Sequence, residues 1–188
     1  MLHEQNHLNY KDTINYGSYY TPLGIVDMVY SMIYANIVDA KEYIIMDTSC
    51  GYGNFLRFPN SIGADSDNKA IEKAAANIDN AKFFHHNSLF DVSRKQYNLE
   101  PKDKIIIVGN PPYNDTTSVV RKHIKQQNYA IDKDLSHRDL GISFLLSYNK
   151  LKADYICVLH PLSYLIKKTN FDSLKDFKQN YKLIYSIL

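Results

Sequence analysis

The fold of this chain is decided by residues 105–113, which read IIIVGNPPY. Four branched apolar residues in succession are typical of a parallel strand that is buried on both faces. The two prolines that follow fix their own φ angles and keep the residues before them out of the helical region. The pattern therefore predicts a stiff, extended loop at the carboxyl end of a strand, where open α/β sheets bind ligands.

A stiff loop in that position suits chemistry that needs fixed hydrogen-bond acceptors. Asn110 offers an amide oxygen, and the carbonyl group of Pro111 offers a second acceptor. Two acceptors aimed at one point suit an exocyclic amine, and the ring of Tyr113 suits a flat base. We therefore predict that Asn110, Pro111, Pro112 and Tyr113 form a loop that binds an amine on a flat base.

The tetrapeptide Asn-Pro-Pro-Tyr at 110–113 resembles the catalytic motif of S-adenosylmethionine-dependent amino-methyltransferases, above all the N6-adenine DNA methyltransferases. The resemblance implies methyl transfer to adenine N6 in a specific DNA sequence, within a restriction-modification system. It implies double-stranded DNA as the substrate. It also implies a cognate restriction endonuclease or a separate C-terminal recognition part as a partner.

A second stretch, DTSCGYG at residues 47–53, follows a predicted strand at Tyr43–Met46. It resembles the cofactor loop of the same family, Asp-Pro-Ala-Cys-Gly-x-Gly, with Thr48-Ser49 in place of Pro-Ala. The resemblance implies that Asp47 holds the cationic amino group of the cofactor. The loop residues expected to bind S-adenosylmethionine are Asp47, Cys50, Gly51 and Gly53.

Two further strand ends supply candidate cofactor residues. The strand Ser61–Asp65 ends in an acid whose carboxylate suits the two hydroxyl groups of a ribose, whereas Asp67 is expected only to cap the next helix. The strand Ala81–His86 is followed by Asn87, where the family usually has an aspartate that binds the adenine amino group. The amide oxygen of Asn87 can accept from that amine without carrying a charge.

The segment before the first helix completes the expected cofactor site. Thr21-Pro22 has the form of a helix start, with Thr21 as the cap and Pro22 at the first helical position. The sequence GSYYTP at 17–22 resembles the N-terminal cofactor motif of the DNA methyltransferases whose recognition domain lies at the C-terminus. That resemblance places Tyr20 and Thr21 near the methionine end of the cofactor.

Residues 114–137 are long and polar for a connection inside a compact domain, which is typical of functional or mobile loops. Their basic cluster predicts contacts with DNA phosphates, although a solvated loop is an equal alternative. The residues expected to contact DNA are Arg121, Lys122 and Lys125.

The composition of the chain limits the partners and the cellular setting that can be expected. The formal charge of +2 neither requires nor excludes a nucleic-acid partner, and the two cysteines form no disulfide framework or metal spacing. We therefore expect a reducing, cytoplasmic setting, no membrane segment and no metal site.

The alternation of strands and helices predicts a doubly wound, mostly parallel α/β sheet of order 3-2-1-4-5, similar to the Rossmann-like methyltransferase sheet. A last helix is predicted near Ser173–Lys178, and residues 183–188 are expected to begin another strand. Residues 1–188 would then form one catalytic domain that is incomplete at its C-terminus, with the final hairpin truncated and the recognition domain absent.

Other amino-methyltransferases remain open as alternatives. They are the methylation of cytosine N4, of glutamine N5 and of amino groups in RNA, each of which places a planar NH₂ group beside fixed acceptors. A non-enzyme alternative is an inactive fragment or a nucleotide-binding module.

Overall fold

The computed structural model describes residues 21–112 and 130–187. Its five strands are β1 (Ile44–Asp47), β2 (Ser61–Asp65), β3 (Ala81–His85), β4 (Ile105–Gly109) and β5 (Tyr155–Val158). The longer helices are α1 (Leu23–Asn36), α2 (Asn68–Asn77) and α3 (Leu140–Lys150), and the short ones are α4 (Ser163–Ile166), α5 (Lys168–Ser173) and α6 (Lys175–Asn180). Single 3₁₀ turns occur at Ala40–Glu42 and Arg94–Tyr97.

The strands form one parallel sheet of order β3-β2-β1-β4-β5, which confirms the predicted order. Strand β4 lies between β1 and β5 and is parallel to both, with Ile107 opposite Met46 and Gly109 opposite Val158. All of its residues are buried. The branched run therefore forms an inner strand, as its lack of polar alternation indicated.

Alternate residues of β4 face opposite sides of the sheet, because successive side chains of a strand point to opposite faces. Ile105 and Ile107 pack into the core beneath α3, and Ile106 and Val108 pack into the core beneath α1. Each helix presents an apolar stripe to the sheet; the buried residues are Val26, Val29, Tyr30 and Ile33 in α1, and Ile142, Phe144, Leu145 and Tyr148 in α3.

The cap of α2 is as predicted, and that of α1 is not. Asp67 accepts a hydrogen bond from the Lys69 backbone amide at 2.9 Å, so it caps α2. Helix α1, however, begins at Leu23, and Pro22 occupies the N-cap position without a side-chain cap bond. The prediction that Thr21 caps this helix is therefore wrong. Its buried side chain is committed to a contact with the site described below.

The C-terminal part differs from its prediction. The single helix expected near Ser173–Lys178 is interrupted, because α5 ends at Ser173 and α6 begins at Lys175. Residues 183–187 form no strand, and Leu183, Ile184 and Tyr185 are exposed; residue 188 lies outside the described ranges. Within the described ranges, no helix is both long and apolar enough to cross a membrane.

Candidate active site

The carboxyl ends of the parallel strands bring the predicted polar residues to one edge of the sheet. Strand β1 ends at Asp47, β2 ends at Asp65, and β4 is followed directly by Asn110. Because β1 lies between β2 and β4, these three strand ends are neighbours. Residues that are up to 63 positions apart in the sequence thus belong to a single edge, since 110 − 47 = 63.

Asn110 is held from one side only. Its Nδ2 donates a hydrogen bond to Thr21 Oγ1 at 3.2 Å, which fixes the orientation of the amide. Its Oδ1 is buried and has no hydrogen-bond partner within the described residues. An unsatisfied buried acceptor costs about 1–3 kcal/mol. The structure therefore presents an oriented acceptor at the end of an inner strand that a ligand N–H group would satisfy.

Gly109 makes the close approach of β4 to Asp47 possible. Its φ angle is +136°, and a Cβ atom added there would lie 2.6 Å from Asp47 Oδ1. Both the positive φ angle and the lack of space for a Cβ atom therefore require glycine at this position.

Gly109→Ala should consequently lower the free energy of unfolding by about 2 kcal/mol or more, because strained φ and a steric clash add together. Urea unfolding followed by circular dichroism measures this change. Gly24→Ala is the matched control, because Gly24 is helical and has no atom within 4 Å of an added Cβ. That control should be neutral or stabilising by up to about 1 kcal/mol. Equal stability of the two variants would show that Gly109 is not required.

Asp47 is a buried carboxyl group with few polar contacts to offset its loss of hydration. Its Oδ1 accepts one hydrogen bond, from the Ser49 backbone amide at 3.0 Å. Burial, and to a smaller extent the charge of Asp65, raise the pKa of Asp47 to about 7. Within the described part of the chain no lysine or arginine forms an ion pair with it. A cationic group placed beside this carboxylate would favour its ionised form.

Asp65 joins the end of β2 to the glycine loop. Its Oδ2 accepts from the Gly51 backbone amide at 2.9 Å, and its Oδ1 accepts from the Asp67 backbone amide at 2.9 Å. Gly51 and Gly53 have φ angles of +52° and +81°, so the loop makes the tight turn that its glycines predicted. Each carboxylate oxygen keeps a further lone pair. Its proposed bonds to ribose hydroxyl groups stay a prediction that this geometry permits.

Asp65→Asn should weaken S-adenosylmethionine binding about 10- to 100-fold, because a charge-assisted hydrogen bond of about 1.5–3 kcal/mol is lost. Isothermal titration calorimetry measures the dissociation constant. Asp67→Asn is the control, since asparagine caps a helix as well as aspartate and α2 should keep its start. Unchanged affinity in a folded Asp65→Asn variant would contradict the ribose role.

Two other predicted cofactor residues have most of their polar groups engaged. The Cys50 side chain packs in a small apolar cluster with Leu56 and Ile71, and burial raises the pKa of its thiol well above its usual value. Asn87 accepts from the Leu89 backbone amide at 3.0 Å and donates to the Ala130 carbonyl at 2.6 Å. Cofactor contacts from either side chain stay predictions; Asn87 Oδ1 retains one lone pair for an amine.

Five predicted residues lie outside the described ranges. They are Tyr20 of the N-terminal motif, Tyr113 of the catalytic motif, and the basic residues Arg121, Lys122 and Lys125. Of the proline pair, Pro111 is buried and Pro112 is half-buried.

One residue at this edge was missed by the sequence analysis. His160 follows β5, and its ring lies against that of Tyr164 with centroids 4.9 Å apart. Both of its ring nitrogens are buried without a hydrogen-bond partner among residues 21–112 and 130–187. Burial lowers the pKa of His160 to about 3, so the imidazole stays neutral at physiological pH. Its position two residues after the end of β5, on the same side of the sheet as Asn110, was the available signal.

The donor set of this edge fits S-adenosylmethionine. A cationic group of the cofactor would favour the ionised form of Asp47, and the Asp65 carboxylate retains acceptor capacity for hydroxyl groups. Two carboxylates without a cationic partner in the described residues favour a positively charged ligand over a phosphate. Within the same residues, no group of three or more His, Cys, Asp or Glu side chains could hold a metal ion.

The sheet order and the carboxyl-edge site define a Rossmann-like fold of the kind found in methyltransferases. One solved structure with this fold is described as a "putative RNA methyltransferase" from Pyrococcus horikoshii, with a TM-score of 0.54 and 17% sequence identity. The match covers 85% of this chain and 72% of that chain. No family model and no curated protein sequence matches the chain.

Proposed function

We propose that this protein is an S-adenosylmethionine-dependent methyltransferase that modifies N6 of adenine in DNA. The observation that carries the proposal is the buried Oδ1 of Asn110, which has no hydrogen-bond partner among the described residues and is oriented by the bond from Nδ2 to Thr21 at the end of β4. An NH₂ group beside this oxygen would satisfy it. The Asn-Pro-Pro-Tyr sequence around it is the motif that resembles the adenine-specific class.

The cofactor would lie across the ends of β1 and β2. Asp47 would face its ammonium group, and Asp65 would accept hydrogen bonds from its ribose. The other proposed cofactor-binding residues follow from their positions in the sequence motifs; they are Tyr20, Thr21, Cys50, Gly51, Gly53 and Asn87. When bound, the cofactor supplies a sulfonium methyl group, and its transfer to the amine leaves a neutral thioether and releases one amine proton.

The residues of the chain act by orienting the amine. Hydrogen bonds from the NH₂ group to Asn110 Oδ1 and to the Pro111 carbonyl hold both N–H bonds and turn the nitrogen lone pair towards the methyl group. Such positioning can lower a barrier by up to about 7–11 kcal/mol. A general base is not needed before transfer, because the amine becomes acidic only after it is methylated.

The target base would leave the duplex to reach this edge. Flipping a base costs a few kcal/mol, and stacking on an aromatic side chain such as Tyr113 returns about 1–3 kcal/mol. Arg121, Lys122 and Lys125 are the proposed phosphate contacts. The proposal also includes a partner, which is a restriction endonuclease or a C-terminal recognition part. It places the activity in the cytoplasm.

The test combines binding with identification of the product. Calorimetry should show S-adenosylmethionine binding to the 188-residue chain. Tritiated methyl transfer should then be compared for duplex DNA, the same duplex without adenine, RNA of the same sequence and a glutamine peptide, with nucleoside mass spectrometry of the products. N6-methyladenine in DNA supports the proposal. N4-methylcytosine, or transfer to RNA or peptide alone, would replace it with the corresponding alternative, and a lack of cofactor binding would overturn it.

A further inference from the structure

A pocket lies at the opposite edge of the sheet from the candidate active site. It has a volume of about 390 Å³ and is lined by Tyr30, Tyr34, Lys41, Arg57, Phe58 and Pro59. Lys41 precedes β1 and Pro59 precedes β2, and the strands are parallel, so the pocket lies at their amino ends. Strand β1 leads from this end of the sheet to Asp47, and its three residue steps from Ile44 to Asp47 span roughly 10 Å.

Three aromatic rings form one wall of this pocket. Tyr30 and Phe58 are buried, with ring centroids 5.3 Å apart, and they support Tyr34, whose centroid lies 5.7 Å from that of Phe58. Tyr34 itself is 53% exposed, so much of its surface remains open. A tyrosine held by two aromatic neighbours and open to solvent can stack on a flat ligand, because its orientation is already fixed.

Two cationic side chains complete the pocket. The Arg57 guanidinium lies 5.6 Å from the centre of the Tyr30 ring and forms an ion pair with the exposed Asp27. That pair occupies part of a group with five N–H donors, and the Arg57 side chain is 34% exposed. Lys41 is exposed and forms no ion pair within the described residues. The pocket thus offers an aromatic surface beside positive charge.

We propose that this pocket binds one nucleotide unit, with the base stacked on Tyr34 and the phosphate held by Arg57 and Lys41. Flat bases recognised by aromatic rings and phosphates recognised by cations are the two components of single-strand binding surfaces. The unit could belong to an unpaired nucleic-acid strand or to a free nucleotide, and the experiment below separates these sources. The inference does not depend on the proposed methyl transfer.

The experiment measures fluorescence anisotropy of a labelled single-stranded oligonucleotide titrated with the full chain. Tyr34→Ala and Lys41→Glu should each weaken binding about five-fold or more, since one stacked base or one phosphate contact is lost. Tyr185→Ala and Lys73→Glu are matched controls, because Tyr185 and Lys73 are also exposed and lie outside the pocket. S-adenosylmethionine affinity should be unchanged in all four variants, which separates this pocket from the active site.

A second measurement locates the contact directly. An oligonucleotide containing 5-iodouracil, cross-linked by light and analysed by peptide mass spectrometry, should label the peptide that contains Tyr34. Competition by uridine monophosphate at concentrations comparable to those of the oligonucleotide would assign the pocket to a free nucleotide. If uridine monophosphate does not compete at those concentrations, the pocket is assigned to a nucleic-acid strand. Wild-type affinity in Tyr34→Ala and Lys41→Glu, or cross-links confined to other peptides, would overturn the proposal.

Discussion

Asn110→Ala should lower the turnover number for methyl transfer by at least about 100-fold while leaving the dissociation constant for S-adenosylmethionine nearly unchanged. Removing one oriented hydrogen-bonding group from a transition state costs about 10²–10³ in rate. In the proposed arrangement Asn110 contacts the amine, and the cofactor lies across the ends of β1 and β2. Its loss should therefore appear in turnover and not in cofactor binding.

The two polar atoms of the Asn110 side-chain amide have different partners, which makes this prediction more specific. Nδ2 is committed to Thr21, and Oδ1 is the free acceptor within the described residues. Alanine also removes the bond to Thr21, so thermal unfolding must be measured in parallel. Asn77→Ala is the matched control, because its Nδ2 donates to the Lys73 carbonyl on the exposed surface of α2, away from the carboxyl ends of the strands. That variant should keep full activity.

Stopped-flow or single-turnover assays give the transfer rate, and calorimetry gives cofactor affinity. A folded Asn110→Ala variant that transfers methyl groups at the normal rate would remove Asn110 from the chemistry. A loss of cofactor binding as large as the loss of rate would instead place Asn110 in the cofactor pocket.

The sheet could be predicted because the sequence patterns that indicate its strands are local. Strand β4 is a run of branched apolar residues, which is typical of a strand buried on both faces, and its position between β1 and β5 followed from the predicted alternation of strands and helices. The cap at Asp67 was also local, since its partner is the amide two residues later. The strand ends then placed Asp47, Asp65 and Asn110 at one edge without any knowledge of side-chain contacts.

Contacts between distant segments could not be predicted in the same way. Thr21 and Asn110 are separated by 89 positions, and nothing in the local sequence indicates that the Thr21 hydroxyl group accepts a hydrogen bond from the Asn110 amide instead of capping the helix. The apolar residues at 183–187 resemble a strand, but a strand forms only against a partner. The state of His160 likewise depends on burial by residues of other elements, which lowers its pKa.

The second large effect concerns Asp47 and pH. S-adenosylmethionine affinity should rise roughly ten- to thirty-fold between pH 5.5 and 7.5, and Asp47→Asn should weaken binding at pH 7.5 and abolish most of this rise. Calorimetry at several pH values, in buffers with different ionisation enthalpies, measures both the affinity and the proton released. Asp134→Asn is the control, because Asp134 is an exposed acid.

The direction follows from the raised pKa of Asp47, which is about 7 compared with its ordinary 3.8. Below pH 7 most of the free protein carries a neutral Asp47, and a cation can use this group only after its proton leaves, so affinity increases with pH until the carboxyl group is ionised. The folded chain also holds this proton more tightly than the unfolded chain does. The contribution of Asp47 to stability without cofactor should therefore fall from about pH 4 to pH 7 and level off above it, and Asp47→Asn should remove this contribution, whereas Asp65, whose pKa is also raised by burial, keeps its own. A pH dependence of cofactor binding that is unchanged in Asp47→Asn would assign the titration to another group.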